Sequence, residues 1–286
     1  MCELAARAPM LVRPALSTTT GFFFDTRFAT SANARPSFRS SQCCAMMCVL
    51  SSCSKKKPVI MLKAGRTSAG AAAASSHTGA LAGNDKIYDD VLRQSGVIRA
   101  KALREMLEYA RAIPVLPTPK GENVVIITGA GGSGVLLSDA CVDNGLKLMA
   151  MPADLDVAFR KFIPPFGAAG NPVDITGGEP PKTYQNTIRL GLEDPRIHAL
   201  ILGYWHTIVT PPMVFARNMV QVVEEMRGKG IVKPIVASLA GDVEVEEAAE
   251  YLFDHGVPAY PYSTEMPVMV LGAKYKWARG AGLIKA

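Results

Sequence analysis

The chain has 286 residues, is 49% hydrophobic and carries a formal net charge of +6. It is long enough for one large domain or one domain with further pieces, and no apolar run approaches the roughly 20 residues that a membrane-spanning helix needs. The excess charge lies in residues 1–57, where eight Lys/Arg face Glu3 and Asp25; the remainder holds 23 residues of each sign, so it has no broad phosphate-backbone footprint and neither a nucleic-acid nor a membrane partner is expected.

The cysteines are equally uneven. Cys2, Cys43, Cys44, Cys48 and Cys53 share the first stretch, and only Cys141 lies beyond it. Cys44, Cys48 and Cys53 have no matching His or Cys pair downstream, so no metal site is expected. A body without a disulfide framework fits a reducing, intracellular and cytoplasmic setting. Residues 1–57 are rich in Ser, Thr, Ala and Arg and show no sustained period. They read as a mitochondrial or plastid presequence, or as a disordered or misassigned start.

From Pro58 the texture changes. Val59–Leu62 is expected as a strand, followed by a glycine- and alanine-rich loop holding His77. A histidine among small residues can bring an imidazole nitrogen to a phosphoryl group without obstruction. Ser76, Thr78 and Gly79 are its neighbours. A helix is expected over Asp85–Gln94, with Asn84 as N-cap and Gly96 as its stop. Val97–Arg99 reads as a short strand. Ala102–Ala112 reads as a helix with Leu103, Met106, Leu107 and Tyr109/Ala110 on its apolar side. Residues 114–119, with three prolines, form a connector and mark a domain boundary between 58–113 and 120–286.

After the connector strands and helices alternate. Strands are expected at Val124–Thr128, Lys147–Met151, Val173–Ile175, Ala199–Tyr204, Pro234–Leu239 and Val257–Tyr260. Helices are expected at Ser133–Asn144, Thr183–Glu193, Pro212–Arg227, Glu244–His255 and Pro267–Arg279, with a shorter one at Asp154–Phe162. Runs such as VVIIT and ALILGY are apolar on both faces, as buried parallel strands are. The pattern implies a doubly wound α/β sheet, preceded by a partial α/β domain. In such sheets ligands sit at the carboxyl ends of the strands.

That rule points to Gly129, Gly131 and Gly134, which fit G-x-G-x-x-G between a strand and a helix. A dinucleotide fingerprint also needs an acidic residue at the end of the second strand. Met149, Ala150 and Met151 stand there, and Asp154 comes late, so NAD or FAD binding is disfavoured. What survives is a close backbone approach and a free helix start that can hold an anion, at Gly129, Gly131, Gly132, Ser133 and Gly134. A tight turn without a ligand is the plainer alternative.

Together, the segment KPVIMLKAGRTSAGAAAASSHTGALAG, the turn TGAGGSG, NPVDITGGEPP and KPIVASLAGDVEVEEAAEYLFDHG resemble the ADP-forming acyl-CoA synthetase (acetate–CoA ligase) family, which is related to succinyl-CoA synthetase. The resemblance runs from near Lys57 almost to the C-terminus. It implies a phosphohistidine domain followed by a flavodoxin-like ligase domain. It also implies a reaction: an acyl-CoA and phosphate give an acyl phosphate and CoA, and His77 takes the phosphoryl group and passes it to ADP. The glycine turn would then be a phosphate cradle. CoA and ATP/ADP are the implied substrates. The family's CoA-binding domain, the first half of the histidine domain with its orienting glutamate, and the ATP-grasp domains that carry Mg are expected on partner chains or further domains, in an oligomeric complex. Two rival readings are a catalytically incompetent binding or regulatory module and a nucleotide-binding flavodoxin-like protein.

His206 ends a buried strand, and either shapes an acyl pocket or packs. His198 reads as surface and His255 as a helix cap. Asp174 and Glu179 either orient a phosphate-site partner or face solvent. Lys63 and Arg66 follow the first strand and could meet a phosphate. Cys141 reads as core.

Overall fold

The computed structural model describes residues 48, 50–78 and 84–284, apart from the side chains of His77 and Thr78. Most of the presequence-like stretch 1–57 and the site neighbour Gly79 fall outside the described residues, whereas residues 50–54 are helical and Ser54 is buried.

Two units follow one another. The first comprises β1 (Ile60–Leu62), α1 (Ser68–Thr78), α2 (Asp85–Gln94), β2 (Ile98–Ala100) and α3 (Leu103–Ala112). Strands β1 and β2 pair in parallel, Ile60 opposite Ile98. Asn84 caps α2, its side chain accepting from the Lys86 N–H at 3.0 Å. Gly96 stops the helix with φ +69°, a conformation that glycine adopts without a Cβ clash.

The second unit contains β3 (Asn123–Thr128), α4 (Gly131–Asp143), β4 (Lys147–Leu148), α5 (Ala153–Arg160), β5 (Val173–Asp174) and α6 (Pro181–Glu193). It continues with β6 (Ala199–Trp205), α7 (Pro212–Gly228), β7 (Ile235–Ala240), α8 (Glu244–Asp254), β8 (Ala259–Pro261) and α9 (Glu265–Gly280). The strands run parallel in the order β4-β3-β6-β7-β8, with β5 also on β3. This is the flavodoxin-like winding, with β3 as the first strand and the order reversing beside it.

Strand alternation divides the core. Val125, Ile127, Leu200, Leu202 and Tyr204 face one layer, built by α5, α6, α7 and α8. Val124, Ile126, Ala199 and Ile201 face the other, built chiefly by α4 and α9. Both sets are essentially inaccessible to solvent. That is why these strands read as continuous apolar runs rather than alternating ones. Each fully buried aliphatic or aromatic side chain contributes about 1.5–3 kcal/mol of transfer free energy.

The second layer also takes in Ile98, Ala100, Tyr109, Ala112, Ile113 and Leu116. The first unit thus shares a core with the sheet through α9. Two polar contacts fix the seam: the Trp277 Nε1–H donates to the Ser54 carbonyl at 2.7 Å, and Lys274 Nζ donates to the Ile113 carbonyl at 3.2 Å.

Strand β3 is served by two partners along one edge. Asn123 and Val124 pair with β4, while Ile127 and Thr128 pair with β5. The Asn171 side chain fills the gap between them. Its amide donates to the carbonyls of Val124 (2.8 Å) and Met149 (3.0 Å), and its oxygen accepts from the Ile126 N–H at 3.0 Å. One side chain thus serves three main-chain groups, although the Val124 carbonyl also accepts from the Met149 N–H at 3.0 Å.

The structure corrects several expectations. His77 lies in helix α1, not in a loop. Four consecutive alanines carry the strongest helix propensity, and Thr67 Oγ1 accepts from the Gly70 N–H at 3.1 Å at the start. Leu103 and Leu107 are half or more exposed, while Met106 and Tyr109 of the expected apolar side pack into the core together with Ala112. Strands β4 and β5 are shorter than expected, and β8 begins at Ala259 rather than Val257. Described helices include none long and apolar enough to cross a membrane.

Candidate functional site at the carboxyl edge of the sheet

Strand β3 ends at Thr128, whose hydroxyl closes the following turn. It accepts from the Ala130 N–H and donates to the Ala130 carbonyl, each at 3.0 Å. The Gly129 N–H donates across to the Gly203 carbonyl of β6 at 3.0 Å. Helix α4 then starts at Gly131, and the Gly134 N–H makes a bond back to Ala130. The amides of Gly131, Gly132 and Ser133 precede that bond, so they belong to the first turn, whose N–H groups have no intrahelical acceptor.

A methyl group at each glycine separates their roles. At Gly129 it would stand 1.9 Å from the Tyr184 hydroxyl. At Gly131 it would stand 2.7 Å from Asp174 Oδ2, and at Gly134 3.0 Å from Thr128 Cγ2 with Pro172 close behind. At Gly132 it would meet nothing within 4 Å. Gly129 and Gly134 are buried, and Gly131 and Gly132 are exposed. The buried glycines let β3, α4 and α6 pack closely; the open face of the turn is Gly132 and the half-buried Ser133. An anion reaching this helix start meets N–H donors and the positive end of the helix dipole there.

Asp174, at the end of β5, backs the turn. Its Oδ1 accepts from the Thr176 N–H at 2.9 Å. Thr176 has φ +65°, in the left-handed region that a β-branched residue rarely occupies. Gly177 follows, where a Cβ would lie 3.2 Å from the Gly129 carbonyl and 3.7 Å from Thr207 Cγ2. The loops after β3, β5 and β6 thus touch one another. Burial, and after it the charge of Asp174, raises the pKa of Tyr184, so its phenol is protonated at neutral pH. Glu179 does not point at the turn: its Oε2 accepts from the Thr183 hydroxyl at 2.9 Å.

His206 follows β6 at the same edge. Its Nδ1 lies 3.1 Å from Asp242 Oδ1 and its Nε2 lies 3.8 Å from Glu244 Oε2. Trp205 and Ile208, on either side of it, are exposed. His198 and His255 are structural. His198 Nδ1 accepts from the Asn123 N–H at 3.1 Å, with the ring packed on Gly121, and its pKa is lowered by burial and by the nearby Lys233. His255 caps α8, its Nδ1 lying 2.7 Å from the Tyr251 carbonyl.

His77 and Thr78 are the last two residues of α1, and the Ser76 hydroxyl donates to the Ala73 carbonyl at 2.9 Å. Lys63 is paired with Asp85 at 3.4 Å and lies over the Tyr88 ring. Cys141 is fully buried, which pushes its thiol up to about 12. Asp154, the late acid that would have to serve a dinucleotide, is instead held by Arg196 at 2.8–3.0 Å. Arg196 holds its carboxyl below the usual range.

Sequence reasoning missed what stands behind the glycine turn. Tyr184 reaches it from α6, far along the chain, and no local motif marks it; Asp174, at the end of β5, is the one of the two candidate acids of this edge that stands against the turn. The pairing of His206 with Asp242 and Glu244 was missed for the same reason.

A flavodoxin-like parallel sheet with an open glycine turn at its carboxyl edge defines an α/β domain suited to anions. Residues 124–285 match the family described as Ligase-CoA domain, and residues 40–113 match the succinyl-CoA ligase like flavodoxin domain. The chain belongs to the Ligase-CoA domain family. It is 43% identical over 206 residues to the ADP-forming acetate–CoA ligase I subunit alpha of Pyrococcus furiosus, a match covering 72% of this chain and 44% of that subunit. It is 37% identical over 206 residues to the ADP-forming 4-hydroxybutyrate–CoA ligase of Nitrosopumilus maritimus, covering 72% of this chain and 28% of that protein. Among solved structures it is similar to the dinucleotide forming acetyl-coenzyme A synthetase 1 of Ca. Korarchaeum cryptofilum, in complex with phosphate and ADP. The TM-score is 0.79 at 35% identity, over 87% of this chain and 52% of that one. The chain therefore spans about half, or less, of the length of these relatives.

Proposed function

We propose that the chain supplies the phosphohistidine segment (58–113) and the flavodoxin-like ligase domain (120–286), joined by residues 114–119, of an NDP-forming acyl-CoA synthetase. The observation that carries this reading is the helix start at Gly131, Gly132 and Ser133, open on its solvent side at the carboxyl edge of the sheet. The relatives named above are ADP-forming CoA ligases, which supports the same reaction class.

In this reading phosphate attacks the thioester of an acyl-CoA, giving an acyl phosphate and free CoA. A His77 imidazole nitrogen then attacks phosphorus, the P–O bond to the acyl oxygen breaks, and the carboxylate leaves. Phosphohistidine finally yields its phosphoryl group to a terminal oxygen of ADP, restoring the imidazole. A neutral imidazole is nucleophilic near pH 7. The N–H groups of the glycine turn stabilise the charge on the transferring phosphoryl oxygens without reorganising. Partner chains or further domains supply the CoA site and the ATP-grasp nucleotide site with its Mg.

The test is acid-labile labelling. The chain, assembled with its ATP-grasp and CoA-binding partners, is incubated with ATP labelled in the γ-phosphoryl group. Phosphate stable to base, lost in acid and absent from His77→Asn is expected. No label on His77 with every partner present would overturn the carrier role and leave a binding module of the same fold.

A further inference from the structure

His206, Asp242 and Glu244 form a group that the reaction above does not use. They come from the loops after β6 and β7, and the pairing of Trp205 with Ala240 brings them together. The His206 N–H donates to the Ala240 carbonyl at 2.8 Å, which fixes the base of the ring. A Cβ at Gly241 would lie 2.5 Å from His206 Cβ, so only glycine lets the two loops approach this closely. The Tyr262 hydroxyl donates to the Asp242 carbonyl at 3.0 Å and holds the second loop.

The ring stands between two carboxylates, and Asp242 Oδ1 also accepts from the Glu244 N–H at 3.1 Å. Nδ1 faces one carboxylate at 3.1 Å and Nε2 faces another at 3.8 Å. A neutral imidazole has one N–H, so one of the two nitrogens turns a lone pair towards a carboxylate oxygen. Among the described residues, the ion pairs of Asp242 and Glu244 are with His206 alone. A metal ion between the ring and the two carboxylates would balance their negative charge. One ligand atom from each residue lies within 4.8 Å of the others. The 3.1 Å separation of Nδ1 and Oδ1 is close to that of adjacent ligands on one ion at bond lengths of about 2.1 Å.

We propose that His206, Asp242 and Glu244 hold a divalent transition-metal ion of the Zn²⁺ class, through one imidazole nitrogen and two carboxylate oxygens. This set of one nitrogen and two oxygens suits Zn²⁺, Co²⁺ or Mn²⁺ better than Mg²⁺, which prefers oxygen and water. The cysteine spacing that argued against a metal is silent here, because these ligands meet only through the sheet. The site shares its edge with the glycine turn, through the contacts that link Gly129, Gly177 and Thr207. Three protein ligands leave positions open to water or to an anion.

The test is titration of the full chain with Zn²⁺ by calorimetry, in wild type, His206→Ala, Asp242→Asn and the control His255→Asn. The wild type and His255→Asn should bind one ion that His206→Ala lacks. Asp242→Asn, nearly isosteric and on an exposed side chain, should weaken that site by about tenfold or more, the scale on which even outer-sphere partners of a ligating histidine act. Circular dichroism establishes that the variants are folded. With Co²⁺, the same site should give visible bands without the thiolate charge-transfer absorption of a cysteine site. Equal stoichiometry and affinity in all four proteins would overturn the proposal. So would no binding, or Co²⁺ bound only to thiolate.

Discussion

One carbon atom distinguishes the roles of neighbouring glycines at the turn. Gly129→Ala would drive a methyl group into the Tyr184 hydroxyl, with Tyr184 itself packed edge-on against Phe215 at 5.1 Å. A loss of about 1–3 kcal/mol is expected, the usual cost of overpacking. Gly132→Ala meets nothing, so stability should hold or rise by up to about 1 kcal/mol, since alanine favours a helix. On the proposed reading, the same methyl would crowd a phosphoryl group held by the turn. Urea denaturation reads the first effect, and phosphoryl transfer in the assembled enzyme reads the second. Gly132→Ala should lower transfer while leaving stability intact. Equal activity in Gly132→Ala and wild type would reduce the turn to a packing device. Cys141 offers a simpler expectation at this scale. Its thiol is buried and titrates near 12, so it should resist iodoacetamide at neutral pH until the chain unfolds, whereas the exposed Cys48 and Cys53 react. Peptide mass mapping after a timed pulse distinguishes them.

At the scale of elements, the divided edge of β3 depends on Asn171. Replacing it by Asp keeps the shape and the bond from Ile126 but removes both donated bonds. It also sets carboxylate oxygens against the Val124 and Met149 carbonyls. A loss of about 1–3 kcal/mol is expected, the cost of a group left without its partner, since the Val124 carbonyl keeps its bond from the Met149 N–H. Urea denaturation of Asn171→Asp measures it, and an unchanged midpoint would remove Asn171 from this role. The central strands could be read from sequence because both their faces are buried, which makes VVIIT and ALILGY apolar throughout. Helix α1 could not. Ala71 to Ala74 give no amphipathic stripe, and the surrounding Gly, Ser and Thr are the residues of loops. Leu103 and Leu107 looked like a core stripe because period alone does not say which face meets the sheet; Tyr109 and Ala112 do. The glycines of the candidate site were visible as a local motif. Tyr184, Asp242 and Glu244 were not, because the fold of the sheet carries them there.

The whole molecule is held together across the seam between its two units, and Lys274 lies in it. The side chain is 5% exposed, lies 4.8 Å from the centroid of the Trp277 ring and donates to the Ile113 carbonyl at the end of α3. Burial pushes the ammonium down from 10.5 to about 8. In the unfolded chain the proton stays on up to near 10.5. Below pH 8 both states hold it, and the cost of burying the charge is fully present and constant. Between pH 8 and 10.5 the unfolded state binds more protons, so stability rises with pH across that window. The total is about 3 kcal/mol, at about 1.4 kcal/mol per unit of pKa. Lys233, which burial also lowers to about 8, donates to the Asp194 carbonyl at 2.6 Å and contributes its own slope. Comparison with Lys274→Met cancels that contribution, because Lys233 is present in both proteins. Urea denaturation at unit steps of pH should therefore show wild type gaining on Lys274→Met by up to about 3 kcal/mol between pH 8 and 10.5. Parallel curves would mean that the seam opens to water around Lys274, and that the two units do not share the dry core in which Ile113 and Trp277 meet.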